Sequence, residues 1–192
     1  MAFFWDWYIW RGLLNKKTNL FRYNKMTELG YFFTVLSYVC YCISRFMKHK
    51  KTILLLDLSA KIFTAVSLYF LESLSGAYVF IVGFFMVIVA NIKERLNKKW
   101  EWGYIFFQSL YIAILCYTYA GISSILVVIS VSITLFYIWW LPPQLMRIVG
   151  GMNGIIYLAY QISIKNWAGL LGVFIILSNL FSFLKYRKSV KL

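Results

Sequence analysis

Two opposite charges, Asp57 and Lys61, lie four residues apart within an apolar run over residues 52–71. On an α-helix this spacing places both side chains on one face, where they can pair. A charged side chain at membrane depth is unfavourable by roughly 2.5–3.5 kcal/mol, so such residues usually face a protein interior or a water-filled cavity. The run therefore predicts a helix that lines a polar cavity, where Asp57 and Lys61 gate the path or contact a solute. A structural ion pair, or a lysine that extends to the membrane surface, is the alternative.

Two amides at membrane depth, Gln108 and Asn153, are further candidates for contact with a solute. Amides within membrane helices also bond neighbouring helices, so this second role stays open for both residues. The consecutive prolines Pro142 and Pro143 must end or bend a helix, because proline lacks an N–H group and clashes with the preceding turn.

No arrangement of nucleophiles, paired carboxylates or phosphate-binding glycines in this sequence predicts catalysis. Cys40, Cys42 and Cys116 lie inside apolar runs, so we expect small core residues with no disulfide. The single histidine, His49, lies in a basic stretch without a neighbouring ligand residue. We therefore expect no enzymatic activity, no cofactor and no metal site.

The composition requires lipid as a solvent for much of the chain. Of the 192 residues, 62% are hydrophobic and 14% charged, and the mean hydropathy is +0.73, whereas a soluble domain is about half apolar and a quarter charged. The net charge of +14 comes from Lys and Arg residues that cluster in short gaps between apolar runs. This placement favours contact with anionic lipid headgroups over nucleic-acid binding.

The apolar runs predict an all-α membrane protein with seven transmembrane helices, since each run has about the length that a bilayer demands. The predicted spans are, approximately, residues 28–47, 52–71, 74–92, 102–119, 121–141, 144–163 and 167–186. Before them, residues 1–25 are rich in Trp, Tyr and Phe and then in basic residues, which is typical of a segment lying at the membrane surface. A partner-binding arm is the alternative for this segment.

Two stretches, residues 60–95 and 153–188, share a pattern at an offset of 93 residues. Each has an apolar helix, a short polar break, a pair of small residues and a second helix ending in basic residues. This predicts two parallel three-helix repeats, as in some transporters. The predicted organisation is therefore a first repeat at 26–99, a linker helix at 100–120, and a second repeat with a basic tail at 121–192.

The Lys and Arg residues of the gaps also predict orientation, because cytoplasmic loops are enriched in them. The basic gaps after the first, third and fifth spans fall on the same side as the C-terminus, which we expect to be cytoplasmic. The basic residues of the N-terminal segment would then lie outside, so the side of that segment stays open.

Residues 48–83 and 146–187 resemble the YgjV family of bacterial inner-membrane proteins. The shared pattern is a basic loop, an apolar helix and a small-residue break, with Gly76, Arg147, Tyr160 and Trp167-Ala168-Gly169 as its recurring positions. The likeness covers about residues 28–188 and implies a SWEET-like arrangement of three, one and three helices around a carrier-like cavity. Pro143-Gln144 resembles the proline–glutamine pair of PQ-loop and SWEET carriers, which implies a hinge at Pro142 and Pro143. The resemblance implies no particular substrate.

Together these features predict a carrier that moves a small polar solute by facilitated diffusion through a cavity between two repeats. The alternative is a non-transporting scaffold, an immunity factor or a subunit of a larger membrane complex, and a substrate-binding subunit of an energised importer is a third option. The expected location is the bacterial cytoplasmic membrane. Expected partners are an unidentified solute and anionic lipids, and a second copy or another membrane protein stays open.

Overall fold

The computed structural model describes residues 25–96 and 100–186, which form α-helices joined by short turns and contain no strand. The helices are α1 Lys25–Arg45, α2 Lys50–Phe70, α3 Leu74–Leu96, α4 Glu101–Tyr117, α5 Ile122–Trp140, α6 Pro143–Ser163 and α7 Gly172–Tyr186, with a 3₁₀ turn at Trp167–Leu171 before α7. The all-helical prediction is confirmed. The predicted interfacial segment and most of the basic tail lie outside the described residues.

Five of these helical segments are long and apolar enough to cross a membrane: α1, α2, α3, α5 and the continuous segment Trp167–Tyr186. The other two predicted spans are helical too, but α4 has 17 residues and α6 is more polar. Two of the polar side chains of α6, Arg147 and Gln161, are buried. A multi-pass membrane protein is therefore confirmed, whereas the full set of seven spans stays a prediction.

Among the five long apolar helices of the described residues, α5 is the most buried. α2 and α3 form one hairpin and α6 and α7 another, while α5 contacts α3, α4 and α6. Buried apolar side chains fill the interface between α3 and α5, among them Val79, Met86, Val127 and Leu135. α4 packs against α3 and α5, on the outside of the bundle.

α2 and α6 end in the same turn. In α2, the backbone N–H of Ser73 donates to Leu68 O at 2.9 Å and that of Glu72 to Tyr69 O at 3.1 Å. Glu72 itself has a left-handed φ of 58°. These are the two hydrogen bonds and the positive φ of a Schellman motif, which satisfies the last carbonyl groups of a helix.

The end of α6 repeats this turn at the same offset of 93 residues. Asn166 N–H donates to Gln161 O at 3.0 Å and Lys165 N–H to Ile162 O at 3.0 Å, and the φ of Lys165 is 56°. Both motifs place a charged residue where glycine is usual. The offset found in the sequence therefore recurs in the backbone of these two turns.

A glycine follows each of the two turns at a close approach between elements. A Cβ on Gly76 would collide with the Tyr160 hydroxyl of α6, and a Cβ on Gly169 would collide with the Gln161 side chain. Gly76 and Gly169 are also 93 residues apart. Both positions therefore require a residue without a side chain, because each lies directly against a neighbouring side chain.

Pro142 and Pro143 form the junction between α5 and α6. α5 ends at Trp140, Pro142 is extended with φ −70° and ψ 161°, and Pro143 is the first residue of α6. A proline at the first helical position loses no hydrogen bond, since that N–H has no partner within the helix. The prolines thus end one helix and begin the next, and a hinge motion at this junction stays a prediction.

Candidate solute cavity

A cavity of about 50 Å³, lined by both apolar side chains and charged or amide side chains, lies inside the bundle. Residues of α1, α2, α3, α5, α6 and α7 line it, whereas none of its lining residues belongs to α4. Three of the residues singled out in the sequence, Asp57, Lys61 and Asn153, reach this cavity. The cavity thus lies between the helices that precede α4 and those that follow it.

Asp57 pairs with Arg45 and not with Lys61. Arg45 Nη2 lies 3.1 Å from Asp57 Oδ2 and 3.3 Å from Oδ1, and the Ser44 hydroxyl donates to Oδ1 at 2.7 Å. Both charged side chains are buried, with exposures of 4% for Arg45 and 1% for Asp57. A guanidinium presents several donors to a carboxylate, so Arg45 and Ser44 together engage both oxygens of Asp57.

The pairing of Asp57 with Lys61 that the spacing allowed is therefore wrong. Arg45 was missed because it stands at the end of the first predicted span, where basic residues are expected to face the cytoplasm. The isolation of Asp57 was the one usable indication, since a carboxylate at this depth needs a cation. Hydropathy could not show that Arg45 turns inward from the end of α1.

The side chain of Lys61 is buried, and no carboxylate of the described residues contacts its ammonium group. Its residue is 2% exposed, and no hydrogen bond or ion pair reaches the group from the described parts of the chain. Lys61 Nζ lies 4.5 Å from the centre of the Phe80 ring, and the lysine stem passes Gly83 of α3. Burial excludes the alternative in which this lysine extends to the membrane surface. Lys61 also borders an apolar groove of about 510 Å³ between α2 and α3.

Asn153 presents an unpaired oxygen while its amino group holds α5. Its Nδ2 donates to Ser130 O and to Thr134 Oγ1, both at 3.0 Å, but Oδ1 is buried and has no partner among the described residues. A buried polar atom left unpaired is unfavourable by about 1–3 kcal/mol. Asn153 thus bonds a neighbouring helix, one of the two roles left open, and its unpaired acceptor belongs to a residue that lines the cavity.

Asn179 of α7 adds a second acceptor of the same kind to the cavity wall. Its Nδ2 donates to Ile175 O at 2.9 Å, and its Oδ1 is also buried without a partner in the part of the chain that the structure describes. Asn179 was not among the contact residues predicted from the sequence. Its place at the cavity depends on which face α7 turns toward α6, which a hydropathy pattern does not reveal.

Gln108, the fourth predicted contact residue, lies away from this cavity. Its Nε2 donates to Ser132 Oγ at 2.9 Å across the interface between α4 and α5. α4 contributes no residue to the cavity lining. Gln108 therefore has the alternative role, in which an amide forms a hydrogen bond between neighbouring helices.

Polar contacts join the two groups of helices at the end of the bundle where α1 finishes, here named the basic end. Arg147 of α6 donates from Nε to Arg45 O at 3.2 Å and from Nη2 to Met47 O at 2.7 Å. The Tyr186 hydroxyl of α7 donates to Phe46 O at 2.8 Å. Arg147 therefore fixes the end of α1 against α6, beside the Arg45–Asp57 pair.

A second set of contacts joins the same groups of helices at the opposite end. Asn166 Nδ2 donates to Thr34 Oγ1 of α1 at 3.1 Å, and the Tyr38 hydroxyl donates to Gly169 O at 3.1 Å. These contacts involve the turn after α6, one of the two equivalent turns. The cavity is thus bracketed by polar contacts toward each end of the bundle.

Comparison with known proteins identifies the family. The family model Imp-YgjV, described as bacterial inner membrane protein, matches residues 28–189. No curated protein and no solved structure matches the chain. The match includes the helices that line the cavity and confirms the resemblance to the YgjV family, and the description agrees with the five apolar helices. The chain belongs to the Imp-YgjV family of bacterial inner membrane proteins.

Proposed function

We propose that this protein is a carrier that moves a small polar solute across the bacterial inner membrane. The observation that carries the proposal is Lys61, a buried cation at a cavity inside the bundle, with no carboxylate in contact among the described residues. An isolated charge at this depth is unfavourable, and intramembrane charges of this kind commonly mark the path of an ion or substrate. A protein that needed only a stable bundle would gain by replacing this lysine with an apolar residue.

The route of the solute follows from the contacts at the two ends of the bundle. Opening the basic end requires release of the bonds that Arg147 makes to the end of α1, while the contacts of Asn166 and Tyr38 keep the other end closed. Opening the opposite end requires release of the contacts of Asn166 and Tyr38, while the bonds of Arg147 keep the basic end closed. Rocking of α1–α3 against α5–α7, with α4 as the connector, is the motion we propose, and the equivalent turns after α2 and α6 support a repeat of this kind.

The junction at Pro142 and Pro143 lies between two helices whose relative angle must change in such a motion. It separates α5, which packs on α3, from α6, which carries Arg147 and Asn153. Pro142 is extended and has no N–H group, and its carbonyl accepts only the first hydrogen bond of α6, from Met146 N–H at 3.0 Å. No hydrogen bond of α5 continues across this junction into α6, so the angle between the two helices can change there. We propose that these prolines act as a hinge.

The cavity volume limits what the present arrangement can hold. At about 10–15 Å³ for each water position, 50 Å³ corresponds to a few water molecules. Solute entry therefore involves a wider state, with one end open. We propose that the basic end faces the cytoplasm, following the positive-inside rule, and that transport is facilitated diffusion.

A second candidate is a non-transporting component of a larger membrane complex, including a scaffold or an immunity factor. The observation that favours it is the outer face of α4, where Trp102, Phe106 and Tyr117 are largely exposed. Aromatic side chains are enriched in protein interfaces, so this face could bind a partner. Aromatic residues also suit contact with lipid near the membrane surface.

A thermal-stability screen of the purified full chain separates the two candidates. A solute that binds the folded protein must raise its unfolding temperature. We expect a polar metabolite to do so, and we expect Asn153→Ala to reduce the shift while Gln108→Ala preserves it, since only Asn153 lies at the cavity. If no solute stabilises the protein and a membrane protein co-purifies stoichiometrically, the second candidate is supported and the carrier proposal is rejected.

A further inference from the structure

The charges at the cavity do not balance. Arg45 and Lys61 are cations and Asp57 is the single carboxylate among the described lining residues. Because Asp57 is engaged by Arg45 and Ser44, its charge is already matched by the guanidinium. The cavity thus has one positive charge more than negative charges, and no carboxylate of the described residues contacts Lys61, in a region where burial makes an unpaired charge unfavourable.

The uncharged lining residues set a second requirement for any molecule that fills the cavity. Asn153 and Asn179 each leave a buried amide oxygen without a hydrogen bond. An amide oxygen only accepts hydrogen bonds, so whatever fills the cavity must donate to it. Water can do this in the absence of solute, and the hydroxyl groups of a solute can take its place.

We infer that the solute is a small water-soluble monoanion, namely a carboxylate that also bears hydroxyl groups. The carboxylate pairs with Lys61, and the hydroxyl groups donate to Asn153 and Asn179. This inference rests on the carrier function proposed above and names its substrate class. A single negative charge on the solute leaves the occupied cavity neutral.

The position of Lys61 favours a soluble anion over a lipid headgroup. Lys61 lies near the middle of the 21-residue helix α2, so at 1.5 Å per residue it is about 15 Å from either helix end. Headgroups lie at the helix ends and do not reach this depth. A fatty acid could bring its carboxylate to Lys61 along the apolar groove between α2 and α3, but its hydrocarbon tail could not donate to Asn153 or Asn179.

The test compares matched anions and neutral compounds on the full chain in lipid nanodiscs, using the unfolding temperature as readout. The anions are lactate, glycerate and gluconate, the neutral compounds are lactamide, glycerol and sorbitol, and octanoate represents a fatty acid. We expect at least one hydroxylated anion to raise the unfolding temperature, with its neutral counterpart giving no shift. Lys61→Met should abolish the shift, whereas Lys165→Met, at an exposed turn, should retain it.

The other outcomes overturn the inference in distinguishable ways. Stabilisation by neutral polyols, equal in wild type and Lys61→Met, would reject the anion while leaving the carrier proposal intact. Stabilisation by octanoate alone would identify a lipid-derived carboxylate and reject the soluble one. No stabilisation by any compound, in a protein whose unliganded unfolding is cooperative, would count against the anion and the carrier alike. The unliganded unfolding temperature of Lys61→Met checks that this variant folds.

Discussion

Arg45 at the end of α1 and Asp57 in α2 form a buried ion pair, with 3.1 Å between Nη2 and Oδ2. This pair links the first two helices of the described bundle at the basic end. By engaging Asp57, it also leaves Lys61 without the partner that lies one helical turn away. In the carrier that we propose, the charge available to a solute is therefore determined by a contact between helices rather than by spacing along α2.

Removing one member of this pair should strongly destabilise the protein. We expect Asp57→Asn to lower the free energy of unfolding by about 3–5 kcal/mol, because it leaves Arg45 buried without a counterion. The partly exposed pair Lys50–Glu94, with exposures of 15% and 35%, has the same 3.1 Å separation and provides the matched control. Glu94→Gln should change stability by about 1 kcal/mol or less.

Unfolding in a denaturing detergent, followed by circular dichroism, measures both effects. Equal losses for Asp57→Asn and Glu94→Gln would contradict the buried pair. A double variant, Arg45→Met with Asp57→Leu, should recover much of the loss, since replacing both charges removes the unpaired group.

Glycine at the left-handed position of each Schellman turn should stabilise the protein. We expect Glu72→Gly and Lys165→Gly each to raise the free energy of unfolding by about 1 kcal/mol, because a left-handed φ is unfavourable for any residue with a Cβ. Both side chains are exposed, so little packing is lost. Alanine at either position is the control, since it removes the side chain without relieving the backbone, and equal stabilities of the Gly and Ala variants would argue against this geometry.

Weakening the contacts of Arg147 should open the basic end. Arg147→Gln loses hydrogen bonds from a charged donor to Arg45 O and Met47 O, each worth about 1.5–3 kcal/mol, so the open state should become at least about tenfold more populated. A cysteine at Ser130, which lines the cavity, reports this opening in a background without the native cysteines. A membrane-impermeant maleimide should label it faster from the basic side.

Arg95→Gln is the matched control for this experiment, because Arg95 is an exposed arginine at the end of α3 and at the same end of the bundle. Its substitution should leave the labelling rate unchanged. A rate that is the same in the Arg147 and Arg95 variants would show that Arg147 does not hold the basic end closed.

The helices of the described residues could be predicted from the hydropathy and length of the apolar runs, because a run of about 20 apolar residues has the length of a helix that crosses a bilayer. The prolines at positions 142 and 143 correctly mark the end of α5, since proline has no N–H to continue a helix. The shared pattern of 60–95 and 153–188 reappears in the backbone of two turns, whose geometry depends on a few local hydrogen bonds.

Contacts between helices could be predicted less well from the sequence. The position of a residue within an apolar run predicts its depth in the membrane. By this criterion Gln108 and Asn153 have similar predicted depths. Which side of a helix faces the cavity depends on how whole helices pack, and this separates Asn153, at the cavity, from Gln108, between α4 and α5. The same limit explains why Arg45 and Asn179 were missed.

Uptake of solute by proteoliposomes tests the central claim most directly, that a cavity with Lys61 at its wall carries a solute between the two groups of helices. Vesicles containing the wild type or Lys165→Met should take up a stabilising solute at similar rates and release it when the gradient is reversed. Lys61→Met, reconstituted in equal amount, should reduce uptake to the level of protein-free vesicles. Unchanged uptake in Lys61→Met, or no uptake by the wild type of any solute that stabilises it, would contradict the account.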